Sequence, residues 1–447
     1  MLIVFGIIIS LLIFTIIVVL HELGHFWAAR IFGVRVEEFG IGIPPRAKKL
    51  FYDKKGTLYS LNWLPLGGFV KLTGESPNTF YVFDKNKNLY NNDQLEKDIL
   101  DEVAIFTKEG KEIGETHKQA ILKALQDNAA DFNLSKKPAW QQAIIMLAGV
   151  FMNFLLAGII FSILFFTGIK PVGVNTKIET QLPVKLVPNY QQALESGVLL
   201  QKPGVILSPI SGGIAEKAGI QKNDILLEIT SNNTSVLIND YRQVSDIISK
   251  NSDQQLTLKI KRNFQDFTIT VTPKSKDDNI GKIGSYLGDN IQINPDFEYK
   301  YGFIDSIKYG FYETYNQSLL TFQGISGLMR KIFSPKTPTE RQEAVQQISG
   351  PIGIVDFITN SMSNGFVFMM IIAAVISINL GVFNLLPIPA LDGGRFLFIT
   401  VNGVLEKLFG KKIISANIEN VIHLGFFLLL IALSVLIGYN DIIKLLN

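Results

Sequence analysis

Residues 1–25 read MLIVFGIIISLLIFTIIVVLHELGH, an apolar run that continues without a break into three ionisable side chains. Residues 1–20 carry no charge, and about 20 apolar residues in a helix cover the roughly 30 Å hydrocarbon core of a bilayer. A signal peptide is the alternative, but it needs a basic start and a small-residue cleavage site, and the run has neither. We therefore predict a retained first membrane span and a membrane-protein fold.

The composition of the 447-residue chain favours the same class. Charged residues make up 18% of it and apolar residues 47%, whereas soluble domains carry about 25% charged residues. Further apolar blocks cover 143–167, 366–386 and 421–438, so we expect about four transmembrane helices. The net charge of +3 is too small to indicate nucleic acid as a partner, and the absence of cysteine excludes disulfides and cysteine-ligated metal.

The distribution of basic residues predicts the orientation in the membrane. The segments after the first span, before the second and after the third contain Arg30, Arg35, Arg46, Lys48, Lys49, Lys54, Lys55, Lys136, Lys137, Arg395, Lys407, Lys411 and Lys412. Such basic loops face the cytoplasm. We therefore expect residues 170–362 and both termini on the opposite side of the membrane.

The sequence HELGH at residues 21–25 predicts a catalytic metal site. On a helix His21 and His25 are neighbours, with Cβ atoms about 5–6 Å apart, so both imidazoles can bind one tetrahedral Zn²⁺ at about 2.0–2.1 Å. Glu22 lies beside them, in the position of a general base that takes a proton from water and returns it to the leaving amine. A chance match is the alternative, but ionisable groups in a membrane span are costly unless they bind or react.

A catalytic zinc needs a third protein ligand, and the sequence offers two candidates. Asp392 lies in NLLPIPALDGG at residues 384–394, where Pro387 and Pro389 end the third apolar block and the glycines allow a sharp turn. Backbone broken at membrane depth is tolerated only where it is buried in protein or lines a wet cavity, which would place the carboxylate inside a bundle. His423 lies in the fourth apolar block and could be interfacial, so we favour Asp392.

HELGH at the end of a first span and NLLPIPALDGG after a later one resemble the site-2 protease family of intramembrane metalloproteases, most closely its bacterial branch of the regulator of sigma-E protease type. The resemblance covers most of the chain apart from 77–135 and much of 276–347. It implies one Zn²⁺ per chain held by His21, His25 and Asp392, with Glu22 as the general base. It also implies that Asn384 contacts the substrate backbone or the developing oxyanion, and that Asn379 has a similar, weaker role. Another divalent ion remains an alternative at a His₂Asp site.

The stretch TLYSLNWLPLGGFVKL at residues 57–72 predicts two short strands around a Pro/Gly turn. The family has a re-entrant β-hairpin at this position, whose edge near the zinc could take the unwound substrate as an added strand. The resemblance therefore implies substrate contacts at Gly67 and Gly68. It implies a further contact at Asn153, although Val150 follows Gly149 where the family usually has a proline. An ordinary surface hairpin is the alternative.

Residues 203–232 read PGVILSPISGGIAEKAGIQKNDILLEITSN and precede an alternating stretch that ends near residue 271. This pattern resembles a PDZ domain, a fold that receives peptides by strand addition. In the family this module restricts access by bulky substrates, so the resemblance implies that it binds or excludes substrate ectodomains. The predicted fold is a polytopic α-helical membrane protein with about four transmembrane helices, a re-entrant β-hairpin and an inserted extracytoplasmic PDZ-like α+β domain.

The chain divides into six predicted segments. They are 1–76 with the first transmembrane helix, HELGH and the hairpin; 77–140, a cytoplasmic insertion with a helix near 115–130; 141–170, the second transmembrane helix; 171–275, the PDZ-like domain; 276–362, a linker with loop to residue 300 and then amphipathic helices; and 363–447, the third and fourth transmembrane helices. In the amphipathic part an aromatic stripe recurs at helical spacing, with Phe303, Ile307, Phe311 and Tyr315.

Taken together, these features predict an intramembrane zinc metalloprotease of the bacterial inner membrane, with its active site toward the cytoplasm. The resemblance implies single-span membrane proteins as substrates, namely anti-sigma-type regulators that a first protease has already cut outside the membrane, and also remnant signal peptides. Two other classes are a non-enzymatic PDZ scaffold and a metal transporter. A scaffold would not need Glu22 or Asp392, and a single HELGH helix with a large insertion is a poor design for a transporter.

Overall fold

The computed structural model describes residues 2–75, 132–175, 182–275, 281–346, 348, 350–410, 414 and 416–446. The chain forms two compact units. The helical unit comprises Met1–Ile169 and Lys300–Asn447, and the β-rich unit comprises Lys170–Tyr299. Most of the predicted cytoplasmic insertion, including its helix near 115–130, lies outside the described residues.

The elements follow in chain order. The helical unit begins with α1 (Leu2–Ile31), β1 (Val36–Tyr52), β2 (Leu58–Leu72) and α2 (Ala139–Thr167). The β-rich unit contains α3 (Tyr190–Glu195), β3 (Leu199–Pro209), α4 (Ile214–Lys217), β4 (Asp224–Ser231), β5 (Thr234–Leu237), α5 (Tyr241–Lys250), β6 (Leu256–Arg262), β7 (Gln265–Val271), β8 (Lys274–Ser275), β9 (Gly281–Lys282) and β10 (Ser285–Ile293). The helical unit resumes with α6 (Phe303–Phe333), α7 (Pro338–Gln346), α8 (Pro351–Ser361), α9 (Gly365–Leu385), α10 (Asp392–Phe409) and α11 (Ala416–Leu446).

Within the described residues, four helical stretches are long and apolar enough to cross a membrane, as predicted. They are Val4–Ile31, Ala139–Thr167, Ile352–Leu385 and Val421–Ile443. The first is longer than the predicted 1–20, because residues 21–31 contain no proline and the helix ends only before Gly33, which has a φ of +69°. HELGH therefore lies inside α1 and not at its end. The third stretch joins α8 to α9 through a short 3₁₀ turn.

Helices α1 and α2 approach each other closely at the level of HELGH. A Cβ atom on Gly24 would lie 2.3 Å from the carbonyl oxygen of Ala148, so this crossing requires a residue without a side chain. Apolar side chains around the crossing form a buried cluster that includes Phe26, Ala29, Ile145 and Met146. The close crossing brings the backbone of α2 next to the two histidines of α1.

Strands β1 and β2 pair with each other, and this arrangement corrects one prediction. The two halves of 57–72 do not form a hairpin with each other: residues 58–61 and residues 68–71 both lie opposite residues 38–41 of β1. The predicted turn is a bend within one long strand, because Gly67 adopts a φ of +72°, a conformation that glycine reaches without strain. The concave side of the bend rests on α1, where Gly67 packs against Val18.

The β-rich unit is built on an antiparallel sheet with the order β10-β3-β4-β6-β7, and β5 pairs with β4. Its core contains Val205, Leu207, Leu226, Leu258 and Ile260 together with Val244 and Ile248 of α5. Strand β10 corrects the predicted loop at 276–300, since it pairs with β3 along residues 285–293. The folded unit consequently extends to Tyr299, beyond the end predicted for the PDZ-like segment.

The predicted aromatic stripe of α6 is exposed in part and packs on α2 in part. Ile307 and Tyr315 are exposed, whereas the exposed rings of Phe303 and Phe311 also contact Phe166 and Gly158 of α2. The buried face of α6 is polar and consists of Ser306, Gly310, Glu313, Thr314, Asn316 and Gln317. The buried face packs on α2, where a Cβ on Gly310 would lie 2.3 Å from the Ser162 hydroxyl. Polar groups inside and apolar groups outside are the reverse of the pattern on a helix that faces water.

Candidate metal centre

Three side-chain atoms from α1 and α10 converge on one point. His21 Nε2 and His25 Nε2 lie 3.0 and 3.3 Å from Asp392 Oδ2, and the two histidine nitrogens are 3.2 Å apart. Four ligands at 2.0–2.1 Å around a tetrahedral ion stand about 3.3–3.4 Å from one another. The three atoms therefore have the spacing of three corners of a zinc tetrahedron, which leaves one corner for water or substrate. The donor set of two imidazoles and one carboxylate also suits zinc.

The loop before α10 positions Asp392. Residues 386–391 are folded back on themselves by hydrogen bonds from Ile388 N to Leu386 O and from Leu391 N to Ile388 O. Asp392 is the first residue of α10. A Cβ on either Gly393 or Gly394 would lie 2.3 Å from a carbonyl oxygen of this loop, so the tight turn depends on both glycines. As predicted, the prolines and glycines aim the carboxylate into the bundle.

The His25 ring is oriented by the backbone of α2. Its Nδ1 lies 2.7 Å from the carbonyl oxygen of Ile145, and a carbonyl can only accept, so Nδ1 carries the hydrogen. In the neutral imidazole this leaves the lone pair of Nε2 directed at His21 and Asp392. Zinc-binding histidines usually have such a partner on their second nitrogen. Residue types give no signal for a backbone carbonyl, and sequence reasoning missed it.

The His21 ring is oriented by Asn153. Its Nδ1 lies 3.1 Å from the amide of Asn153, a residue with no exposed surface. With the amide nitrogen toward the ring, the buried Oδ1 has no hydrogen-bond partner among the described residues. Turning the amide by 180° exchanges its two nearly isosteric atoms. The oxygen then accepts from His21 Nδ1–H, and His21 Nε2 keeps its lone pair for the metal. We adopt this orientation because it gives the Asn153 oxygen a donor and leaves the lone pair of His21 Nε2 for the metal.

Glu22 connects α1 to the β1–β2 sheet. Its Oε2 accepts a hydrogen bond of 3.0 Å from the backbone N–H of Val70. The carboxylate is thereby held beside the histidines that flank it in the sequence, and at the same time next to β2. The sequence predicted Glu22 but gave no signal for Val70.

Of the remaining predicted residues, only some lie close to the converging atoms. Asn384 reaches the centre, since its Nδ2 lies 3.4 Å from His21 Nε2. Gly67 and Gly68 pack on Val18 and Val19, about one helical turn before His21. Asn379 hydrogen-bonds to the Thr321 hydroxyl of α6 at 2.9 Å. His423, the other candidate for the third ligand, bonds to the backbone of Ala390 and not to the ligand atoms.

The sequence is similar to known proteins over nearly its whole length. Residues 9–433 match the profile of peptidase family M50. The chain is 28% identical to the zinc metalloprotease RasP of Oceanobacillus iheyensis, over 97% of this chain and 98% of the relative. It is also 28% identical to the regulator of sigma-W protease RasP of Bacillus subtilis, over 97% of both chains. The zinc metalloprotease RasP of Geobacillus kaustophilus is 27% identical over the same shares.

Proposed function

The chain belongs to peptidase family M50 and is an intramembrane zinc metalloprotease, and we propose that it cuts peptide bonds within transmembrane segments of membrane-anchored regulators of the anti-sigma type. One observation carries this proposal: His21, His25 and Asp392 form a triangle beside Glu22. The two histidines and Glu22 lie on α1, a helix apolar enough to cross a membrane. A site at this depth reaches peptide bonds that a soluble protease cannot. The relative from Bacillus subtilis, named a regulator of sigma-W protease, supports regulators as substrates. Remnant signal peptides are a second proposed class.

We assign roles to the residues of the centre as follows. His21, His25 and Asp392 would hold one zinc ion. When bound, zinc polarises the scissile carbonyl and activates water for attack. Glu22 takes the proton from the attacking water and delivers it to the leaving amine. Asn153 and the Ile145 carbonyl keep the two imidazoles in the tautomer that metal binding requires.

Substrate binding is proposed at β2 and at Asn384. A transmembrane helix must unwind before its peptide bonds can react, and an unwound segment can add to a strand edge through main-chain hydrogen bonds. The bond between Glu22 and Val70 supports this proposal, because it holds β2 beside the general base. We further propose that the β1–β2 sheet is re-entrant, since Trp63 and Leu64 of β2 expose large apolar side chains. Gly67 and Gly68 would form the close contact with the substrate backbone.

The β-rich unit is proposed to be PDZ-like and extracytoplasmic. The basic loops of the helical unit support a cytoplasmic position for those loops, and they likewise support a position of the β-rich unit outside the inner membrane of a bacterium. On that side the unit would exclude substrates that still carry a bulky ectodomain. The exposed Phe303 and Tyr315 of α6 support the bilayer as a partner of the helical unit.

The test is cleavage of two single-span proteins by the purified enzyme in liposomes. One carries a folded ectodomain, and the other has the same span with the ectodomain trimmed to a few residues. We expect cleavage within the span of the trimmed protein and little cleavage of the intact one. A non-enzymatic scaffold would leave both proteins whole, and equal cleavage of both would remove the proposed role of the β-rich unit.

A further inference from the structure

His423 makes a hydrogen bond to the loop that precedes Asp392. Its Nδ1 lies 2.7 Å from the backbone nitrogen of Ala390, 33 residues earlier in the chain. A backbone N–H can only donate, so Nδ1 is the acceptor and the neutral ring carries its hydrogen on Nε2. The ring is kept in place by Phe398, at 5.4 Å between ring centroids, and Nε2 faces Glu419 at 3.7 Å.

Ala390 needs such a partner. Its φ is +81°, a left-handed conformation that residues other than glycine rarely adopt and that persists only where the surroundings hold it. Its N–H points away from the turn formed by residues 386–391 and finds its acceptor on α11. Without that acceptor the N–H would remain unsatisfied in an apolar environment, which is costly. The loop would relax toward a conformation in which the N–H can be paired.

Asp392 follows Ala390 by two residues. It lies on the same tight turn, where Gly393 and Gly394 leave no space against the loop carbonyls. A change in the Ala390 peptide is therefore transmitted to the carboxylate, whose Oδ2 must stay about 3 Å from both histidine nitrogens.

We propose that His423 is a positioning residue of the metal centre: its Nδ1 holds the Ala390 peptide and thereby aims Asp392 at His21 and His25. The inference rests on the proposed ligand set. The inference gives α11 a part in metal binding, although none of the three converging atoms belongs to a side chain of α11. His423 thus acts through the loop and not as a ligand.

The test is the zinc affinity of the full-length protein, measured by competition with a chelator in detergent. His423→Leu removes the acceptor, whereas His423→Asn keeps an acceptor oxygen at the position of Nδ1. We expect His423→Leu to weaken zinc binding by about 10–100-fold, the usual effect of losing a group that orients a ligand, and His423→Asn to recover most of the loss. Leu424→Ala, at an exposed neighbouring position, is the control and should bind zinc like the wild type.

Two further measurements separate the outcomes. Asp392→Asn tests the ligand set itself: if it binds zinc like the wild type, the proposed site fails and this inference fails with it. If Asp392→Asn loses zinc while His423→Leu keeps wild-type affinity, only the positioning role is overturned. Equal losses in His423→Leu and His423→Asn overturn it as well, and thermal unfolding of the metal-free variants shows whether such a loss comes from general destabilisation.

Discussion

Gly149 of α2 lies directly against His25 of α1: a Cβ atom on this glycine would be 2.3 Å from the imidazole Nε2 and 2.8 Å from Nε2 of His21. The backbone of α2 therefore forms one wall of the metal centre. Gly24 on α1 makes the matching contact with Ala148. The site exists because two membrane helices cross closely enough for one to touch the ligands of the other.

Gly149→Ala should therefore weaken zinc binding by at least about tenfold, because the added methyl group occupies the space of the ligand atoms. Gly324→Ala is the matched control, since a Cβ at that position of α6 meets no atom within 4 Å. Chelator competition measures both. Wild-type zinc affinity in Gly149→Ala would show that the helices do not pack as closely as described.

The orientation of the Asn153 amide makes a second prediction. If its oxygen accepts from His21 Nδ1–H, Asn153→Asp should retain zinc, because a carboxylate is also an acceptor. Asn153→Leu should release zinc about 10–100 times more readily. The rate of zinc transfer to a chelator distinguishes the variants. If Asn153→Asp is as impaired as Asn153→Leu, the amide donates to His21 and the proposed tautomer is wrong.

Asp53 at the β1–β2 turn makes the stability of the helical unit dependent on pH. Burial would raise the pKa of its carboxyl, but the N–H groups of Thr57 and Lys55 and the guanidinium of Arg30 hold the pKa below the ordinary value. Because the folded-state pKa is depressed, the carboxylate stabilises the folded protein fully at pH values above the ordinary pKa of about 3.9. This stabilisation is lost as the pH falls through the folded-state pKa.

Asp53→Asn should consequently lower stability at pH 7 by about 0.5–1 kcal/mol, and its difference from wild type should vanish toward pH 2. Thermal unfolding of the two proteins over this pH range measures the effect. A difference that stays constant with pH would mean that the ionised carboxylate does not stabilise the turn.

The β-rich unit contains an ion pair that tests its independence from the metal centre. Arg262 donates two hydrogen bonds of 2.7 Å to Asp224, which is 1% exposed. Arg262→Ala leaves that buried carboxylate with the backbone N–H of Gln221 as its remaining donor, and should destabilise this unit by about 1–3 kcal/mol. Zinc affinity should not change, since the ligands belong to the helical unit. Hydrogen exchange of β3, β4 and β6 reports the loss.

Lys259→Ala is the control for that experiment. Its partner Asp266 lies 3.6 Å away and both side chains are about half exposed, so the pair contributes about 0–1 kcal/mol. Similar exchange in the two variants would argue against a structural role for the Arg262–Asp224 pair.

The convergence of the three proposed ligands could be predicted because their signals are local. Helical spacing alone brings His21 and His25 together, and the prolines and glycines around Asp392 show that its helix is broken. The partners of those ligands could not be predicted in the same way. The Ile145 carbonyl and the Val70 N–H are backbone groups that every sequence contains, and Asn153 meets His21 across 132 residues of chain.

The secondary structure was predicted best where the hydrophobicity of a segment determines it, and least well where pairing with a distant strand determines it. Long apolar runs identified the four helices of the described residues that are apolar enough to cross a membrane. Strand β10 contains Gly288, Asp289 and Asn290, which are poor strand formers, and it forms a strand because β3 offers an edge for pairing. Residues 57–72 have the composition of a hairpin, but both halves pair with β1, whose sequence carries no cue for that choice.

The most direct test of the account compares the wild type with Glu22→Gln, using cleavage of a trimmed single-span substrate and the zinc content of each protein. Glutamine keeps an oxygen that can accept from Val70 N–H but cannot take a proton from water. We predict one zinc per chain in both proteins and cleavage only by the wild type. Cleavage by Glu22→Gln at the wild-type rate, or a wild type that cuts without holding zinc, would contradict the assignment of Glu22 as the base of a metalloprotease.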